Sequence, residues 1–334
     1  MDLEKIRKTI DLVDSTIVKL LNDRMELALM AKRLKSQVED REREEELLGK
    51  IRRNSTRLIN AEFIERIYTE IIRESKDLQR KDFKLIAFQG EHGAHGEVAA
   101  REWNSDLIPI PCMEYAEILE GVESGLYAYG IVPVENTLGG VVGQVNELLI
   151  NTDLNVVGAV ELPIRLCLLA LPGSDHREIR AVYSDSQALA QCRRFLARNK
   201  LEPVQYYDSG GAAKMLAEKA PKASAAIASK LCAELYNLEI IKEDIEDLEG
   251  NMTRFLALSR EECREKGDKC SIIFSTEHKA GTLFRVLEVF AREDINLTRI
   301  ESVPHDRVVR AVEALEKITS SLKLMGCYRE KKVV

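Results

Sequence analysis

Arg24 stands where an apolar residue belongs. Between residues 3 and 38, Leu3, Ile6, Ile10, Val13, Ile17, Leu20, Leu27, Ala31, Leu34 and Val38 recur in steps of three and four. That is the spacing of one continuous face of a long helix. The step from Leu20 to Leu27 passes through Arg24. A guanidinium in an apolar seam is costly unless it meets an anion, and Arg is the side chain suited to planar, two-point binding of a carboxylate. Arg7 and Lys35 lie near opposite ends of the same stretch. Further on, Ile64, Ile67, Ile71 and Leu78 form a second apolar face, which Ser75 interrupts, and Gln79 is its i,i+4 neighbour. The pattern by itself fits two readings. One is a helical bundle or dimerising coiled coil with a single buried salt bridge. The other is a cationic pocket, with Arg for carboxylates and Lys and Gln as hydrogen-bond donors.

A second group of polar residues sits on turns. Gly90–Gly96, Glu135-Asn136-Thr137, Ser184–Gln187 and Gly250–Phe255 each follow or precede an apolar run. Taken singly, each fits a capped turn as well as a ligand site. His92 and His95 are spaced i,i+3 but have no carboxylate or Cys partner in a metal-binding pattern, so no metal site is expected.

These two groups call for different scaffolds. Residues 3–38, about 42–53 and about 60–79 read as helices, with 78–84 as a charged linker. The segment 85–90 reads as a buried strand entering a Gly-rich turn, with a helix near 97–103. After it, 129–142, 155–173, 179–196 and 222–245 alternate strands, turns and helices, an α/β pattern whose strand ends collect ligand sites. Composition divides the same way. Residues 1–81 contain one of the 18 Gly and none of the 8 Pro. They hold 19 Lys/Arg and 17 Asp/Glu, against 30 and 39 in the remainder, so the net charges are +2 and −9 and sum to −7. The bundle is short and its first helix very long; such a helix can hardly bury its seam alone, so a homodimer is expected.

Several classes are excluded. No apolar run reaches a membrane span, and the charged start does not read as a signal peptide. Seven scattered cysteines without CxxC spacing fit reduced thiols in the cytoplasm. An acidic chain with no basic cluster beside aromatics is a poor nucleic-acid binder.

IRKTIDLVDSTIVKLLNDRMELA, AKRLK, VEDREREEELL and IIRESKDLQ together resemble the chorismate mutase domain of bifunctional chorismate mutase–prephenate dehydratases. The resemblance implies an all-α intertwined dimer over residues 1–81. It implies that Arg7 (from the partner chain), Arg24 and Arg43 hold the two carboxylates of chorismate. Lys35 and Gln79 would donate to the ether oxygen, Asp40 and Glu44 would bind the hydroxyl end, and Ser75 would support the pocket. Chorismate-to-prephenate conversion is pericyclic, so the protein need only select a compact conformer and meet charge growing on the ether oxygen.

AFQGEHGA, VPVENTLGG, LPIRLCLLALPG, QALAQC and NMTRF resemble a prephenate dehydratase domain of two α/β lobes, spanning about 85–260. By that resemblance Thr253 is the catalytic hydroxyl and Arg254 its neighbouring cation, while Asn136, Thr137, Ser184 and Gln191 line the cleft. Aromatisation drives loss of water and carbon dioxide, so no cofactor is expected. Two positions depart from the family: Gly96 replaces a hydroxyl residue, and Asp185-Ser186 replaces His-Pro, adding a carboxylate near an anionic substrate.

Residues 268–334 resemble an ACT domain, a ferredoxin-like βαββαβ sensor. Strands are expected at 269–278, 295–304 and 321–328, and helices at 280–294 and 308–318. Gly281, Thr282, Leu283 and Phe284, with Glu301, Ser302, Val303 and Pro304, would bind phenylalanine, Val303 replacing the usual Arg. Only βαβ–αβ is found; after Asp306 a strand and a turn, on the order of a dozen residues, are absent. The whole order implies a multidomain enzyme of phenylalanine biosynthesis, acting on chorismate and prephenate and inhibited by phenylalanine. Two alternatives stand beside it: an arogenate dehydratase, and an amino-acid-binding regulator without dehydratase chemistry.

Overall fold

The computed structural model describes residues 3–35, 37–54, 58–263, 267–274, 279–298, 300 and 322–333. Three helices come first: α1 (Leu3–Leu34), α2 (Arg41–Asn54) and α3 (Ala61–Arg80). α1 contains no Gly or Pro and ends on Lys32 and Arg33, which suit the negative end of its dipole. It stops before the expected residue 38. Asp40 starts α2 by accepting from the Arg43 amide at 3.1 Å. Asn60 starts α3 by accepting from the Phe63 amide at 2.7 Å. α3 continues to Arg80, into the stretch expected as linker.

The remainder forms two lobes. In the first, β1 (Leu85–Gln89), β2 (Ile108–Cys112), β3 (Tyr129–Asn136), the short β4 (Gly140–Val141) and β5 (Asn155–Pro163) carry helices α4 (His95–Trp103), α5 (Tyr115–Glu123) and α6 (Gly143–Asn151). β1 is buried from Leu85 to Phe88, as befits a central strand between parallel neighbours. In the second lobe, β6 (Cys167–Ala170), β7 (Ala181–Ser184), β8 (Glu202–Gln205), β9 (Ser224–Ala228) and β10 (Glu239–Lys242) form a sheet ordered β10-β6-β9-β7-β8. Helices α7 (Ser186–Gln191), α8 (Arg193–Arg198), α9 (Ser209–Lys219) and α10 (Lys230–Leu235) belong to this lobe.

The chain then returns to the first lobe as β11 (Met252–Ser259), inserted antiparallel between β3 and β5. Residues 252–255 are therefore strand, not turn. Two segments, after β5 and before β11, connect the lobes.

The C-terminal segment holds β12 (Lys269–Phe274), α11 (Thr282–Arg292), β13 (Leu322–Tyr328) and β14 (Glu330–Lys332). β12 and β13 pair antiparallel. Ile295–Thr298 and Ile300 lie in no strand; the rest of that expected strand and the helix expected at 308–318 fall outside the described residues, as do Glu301, Ser302, Val303 and Pro304. β14 does not stay with β12 and β13. It pairs parallel with β5 and closes one edge of the first-lobe sheet, whose order is β14-β5-β11-β3-β1-β2. Met325 and Tyr328 are buried in the first-lobe core, and Gly326 passes so close to the Val156 carbonyl that a side chain would collide with it. The division expected between 260 and 268 thus crosses a shared sheet.

The three helices differ from the lobes in how little they bury. Of the α1 seam, Leu3, Ile10, Leu27 and Leu34 are 52 to 78% exposed, Ile10 being the 52%, Leu3 62%, Leu27 64% and Leu34 78%. Leu29, by contrast, is buried against the first lobe. No helix among the described residues is long and apolar enough to cross a membrane.

Candidate active sites

In the helical region, α1 and α3 face each other through polar groups. An Arg24 Nη donates to Ser75 Oγ, which in turn donates to the Ile71 carbonyl at 2.9 Å. Ser75 and Gln79 are both buried, one turn apart on α3. Lys35 Nζ lies 3.9 Å from Asp40, whose other oxygen caps α2. Arg43 turns to Glu46 at 2.5 Å, on the surface. Glu44 meets Lys76 at 2.7 Å beside a cavity of about 230 Å³ between α2 and α3. Lys76, next to Ser75 in sequence, escaped the sequence reading because its own residue type on a charged helix carries no signal.

Arg7 is exposed and belongs to none of these contacts. It precedes Arg24 by 17 residues of unbroken helix, about 26 Å at 1.5 Å per residue. Both cannot grip one small dianion from the same chain.

The second constellation lies where β3 and β11 end beside the connection to the second lobe. The register places Thr253 opposite Asn136. Asn136 Nδ2 donates to Thr253 Oγ1 at 2.9 Å and to Asn251 Oδ1 at 2.7 Å. Its Oδ1 accepts the amides of Leu138 and Gly139 at 3.0 and 2.6 Å, which fixes the side chain in one orientation. Asn251 Nδ2 reaches Gln191 Oε1 of α7 at 3.1 Å, so the chain of bonds runs from the first lobe to the second. Thr137 Oγ1 accepts the Met252 amide at 2.9 Å and closes the same turn. Beside this network is a cavity of about 450 Å³, lined by Leu138, Gly139, Gln187, Gln191, Arg194 and Asp247 among others. Asn251 and Gln187 sat in quoted motifs, NMTRF and QALAQC, but as flanking letters. Only the register of β11 on β3 reveals that Asn251 is a bridge.

Thr253 accepts a hydrogen bond and keeps its own proton. A hydroxyl so held can give that proton to a departing oxygen while Asn136 steadies the charge left behind.

Other expected residues are placed elsewhere. Ser184 is fully buried in the second-lobe sheet and donates to the Ile227 carbonyl at 2.6 Å. Arg254 follows Thr253 on a strand, so the two side chains leave on opposite faces. Arg254 Nε lies 2.7 Å from Glu330 of β14, and its Nη2 donates to the Tyr328 hydroxyl at 3.2 Å. Glu330 also lies 3.4 Å from Lys269, and Tyr328 shares a 2.6 Å hydrogen bond with Ser271. Asp185, the unusual carboxylate, caps α7 by accepting from Gln187 and Ala188 at 2.8 and 3.0 Å.

The Gly-rich turn is braced rather than open. The Gly93 amide, which an anion cradle would offer, donates to the buried Glu97 carboxylate at 2.8 Å. Gly93 has φ +88° and rests against Cys232, leaving no room for a side chain. His92 is held between Glu97 at 3.1 Å and Glu26 of α1 at 3.0 Å. Burial alone would lower its pKa, but the two carboxylates raise it to about 10. Asp23, Glu26 and His92 are the group of described residues whose donor atoms could meet on a metal ion, not His92 with His95. Both His92 nitrogens, however, face carboxylates, so the ring is a cation and not a ligand.

The chorismate mutase type II family matches residues 6–80, and the prephenate dehydratase family matches residues 86–263. The chain is 33% identical to a bifunctional chorismate mutase/prephenate dehydratase of Aquifex aeolicus, over 98% of each chain. It belongs to that family. Both activities, and with them a place in phenylalanine biosynthesis, follow from the two domains. The dehydratase part is also 41% identical to arogenate dehydratase/prephenate dehydratase 2 of Arabidopsis thaliana, over 66% of this chain and 58% of that one. Among solved structures, the prephenate dehydratase of Arthrobacter aurescens in complex with L-Phe is 27% identical, with a TM-score of 0.64 over 73% of this chain and 89% of that chain. A chain described as a novel type of quorum quenching acylase has the same TM-score, 29% identity, and coverage of 73% and 97%.

Proposed function

We propose that Thr253 is the proton donor of the dehydratase reaction and that Asn136, Asn251 and Gln191 hold it in place. The supporting observation is the 2.9 Å bond from Asn136 to Thr253 beside an inter-lobe cavity. The Thr253 proton goes to the departing hydroxyl, which leaves as water. The ring carboxylate leaves as carbon dioxide, and its bonding pair completes the aromatic ring. Thr137 shapes the turn. Ser184 acts through the sheet and Arg254 through the C-terminal strand, neither by touching substrate.

For the mutase reaction, Arg24 holds a chorismate carboxylate, with Ser75 orienting it. Lys35 and Gln79 face the ether oxygen, and Asp40, Arg43 and Glu44 form the α2 side. Arg7 enters from a second chain. The exposed α1 seam supports a homodimer. The likeness to a dehydratase carrying L-Phe supports phenylalanine as a feedback inhibitor, with the Gly281–Phe284 turn and the segment 301–304 as its site; Gly281 has φ +86° at the start of α11. The proposed location is the cytoplasm, and no cofactor is invoked.

Arogenate remains the second reading for the dehydratase substrate, favoured by the 41% identity to a plant arogenate/prephenate dehydratase. Purified protein assayed on chorismate, prephenate and arogenate tests all three. Turnover of neither prephenate nor arogenate would sink the Thr253 assignment and favour an amino-acid-binding regulator.

A further inference from the structure

Cys270 and Cys327 are directly opposed on β12 and β13. Their sulfurs are 3.4 Å apart, and both residues are exposed. Cys112, Cys167, Cys192 and Cys232 are buried and Cys263 is half-buried, so these two are the exposed thiols among the described residues. We propose that they form an oxidisable dithiol whose reactant is a low-molecular-weight disulfide and whose product is a cross-strand protein disulfide.

The geometry favours closure. A disulfide needs the sulfurs at about 2.05 Å, so each need move by well under 1 Å. The strand pairing already closes the intervening chain, and a 2.6 Å bond from Ser271 to Tyr328 runs diagonally between the rungs on either side of the cysteine pair. The facing thiol is therefore present at high effective concentration. Directly opposed residues on antiparallel strands have Cβ atoms about 4.5–5.5 Å apart, while a disulfide prefers about 3.8 Å. Closure pinches the strands, which makes the bond reducible rather than permanent.

The exchange balances. One cysteine thiolate attacks the reagent disulfide, giving a mixed disulfide and releasing one reagent thiolate. The facing thiol loses its proton and attacks the mixed disulfide, and the second reagent thiolate leaves. Two protein thiols are oxidised by two electrons, and one reagent disulfide is reduced to two thiols. Partial desolvation between the strands and the facing thiol push the Cys270 pKa up to about 11, so the reaction quickens as pH rises. The position gives closure a consequence. Cys327 precedes Tyr328, which holds Arg254 on the strand that carries Thr253.

The test uses the full chain, equilibrated across ratios of oxidised to reduced glutathione. Acid quenching, alkylation and digestion without reduction then precede peptide mass mapping. A cross-linked peptide joining Cys270 to Cys327, two hydrogen masses lighter, should grow with the oxidised fraction and vanish on adding reductant. In the Cys270→Ser variant, Cys327 should instead carry a single glutathione. If both cysteines of the unaltered chain are alkylated, or each is separately glutathionylated, at every ratio, the proposal is overturned. Cross-linking of Cys327 to a different cysteine would overturn it as well. Neither result bears on the enzymatic assignments.

Discussion

The helical region and the lobed region place their chemistry in opposite ways. In the lobes, Asn136, Asn251, Thr253 and Gln191 come from three segments of one chain and satisfy one another's hydrogen bonds. The surrounding strands are buried, so the side chains have one arrangement. In the helices, Arg24 and Ser75 meet, but Arg7 is far away and the α1 seam between them lies in the open. At about 25 cal/mol per Å², full burial of a large apolar side chain contributes roughly 1.5 to 3 kcal/mol, and a seam left half exposed forgoes about half of that for each. One constellation closes within a chain; the other, in the reading proposed above, draws Arg7 from a second copy.

The largest expected effects separate the two sites. Arg24→Ala should lower mutase turnover by about a thousandfold or more, the scale of losing a preorganised charge partner, and leave dehydratase turnover unchanged. Thr253→Ala should do the reverse. Steady-state rates on chorismate and prephenate measure both, and loss of both activities in either well-folded variant would contradict two independent sites.

Next comes the seam. Ile10→Asp puts a charge on the exposed α1 face expected to cover a partner chain. Sedimentation should show a smaller species, with mutase activity down roughly a hundredfold and dehydratase activity retained. That ratio follows from an Arg held in trans, since losing one such contact costs about 3 kcal/mol. A variant that stays associated and active would place the dimer surface elsewhere.

A smaller effect is expected at the join between regions. Arg254 and Glu330 are an ion pair with side chains 13% and 4% exposed. Removing one member of a buried pair costs about 3–5 kcal/mol because the other charge stays behind. Glu330→Gln keeps the shape and the Tyr328 contact, so the loss should be at the low end. Thermal unfolding should fall by several degrees, and dehydratase turnover should drop a few fold with mutase turnover spared. An unchanged melting temperature would show that the C-terminal strand is not part of the dehydratase scaffold.

How much of this was legible in the sequence differs between the regions for a physical reason. Helix period and Gly/Pro avoidance locate α1 to α3 within a few residues, and Arg24 announces itself by breaking a seam. In the lobes, the motifs mark the right turns, yet sequence spacing does not carry strand pairing. Thr253 and Arg254 read as one catalytic unit because they are adjacent letters; the strand sends them to opposite faces. Asp185 reads as an extra charge at the substrate, and local backbone geometry spends it on a helix cap. β14 could not be read at all: three charged residues, Glu330, Lys331 and Lys332, resemble a tail, and only the open edge of β5 makes them a strand. His92 reads as a bare histidine because Glu26, its partner, lies 66 positions away.

That last contact gives the mildest prediction. His92 joins the mutase helix to the dehydratase turn, and its pKa is raised from 6.5 to about 10 by Glu26 and Glu97. A pKa raised on folding contributes stability that is complete below the unfolded value and is lost as pH rises through the folded value. The docking of α1 should therefore hold through neutral pH and weaken as pH approaches 10. Glu26→Gln removes one carboxylate, so the contribution should be smaller and its loss complete at lower pH, while Arg24, about 200° around the helix from Glu26, keeps its contact with Ser75. Hydrogen exchange of α1 between pH 7 and 10 would register the difference. Identical pH profiles for the two proteins would mean that His92 is held by Glu97 alone, and that the helix rests on the lobes through Leu29 and its apolar neighbours.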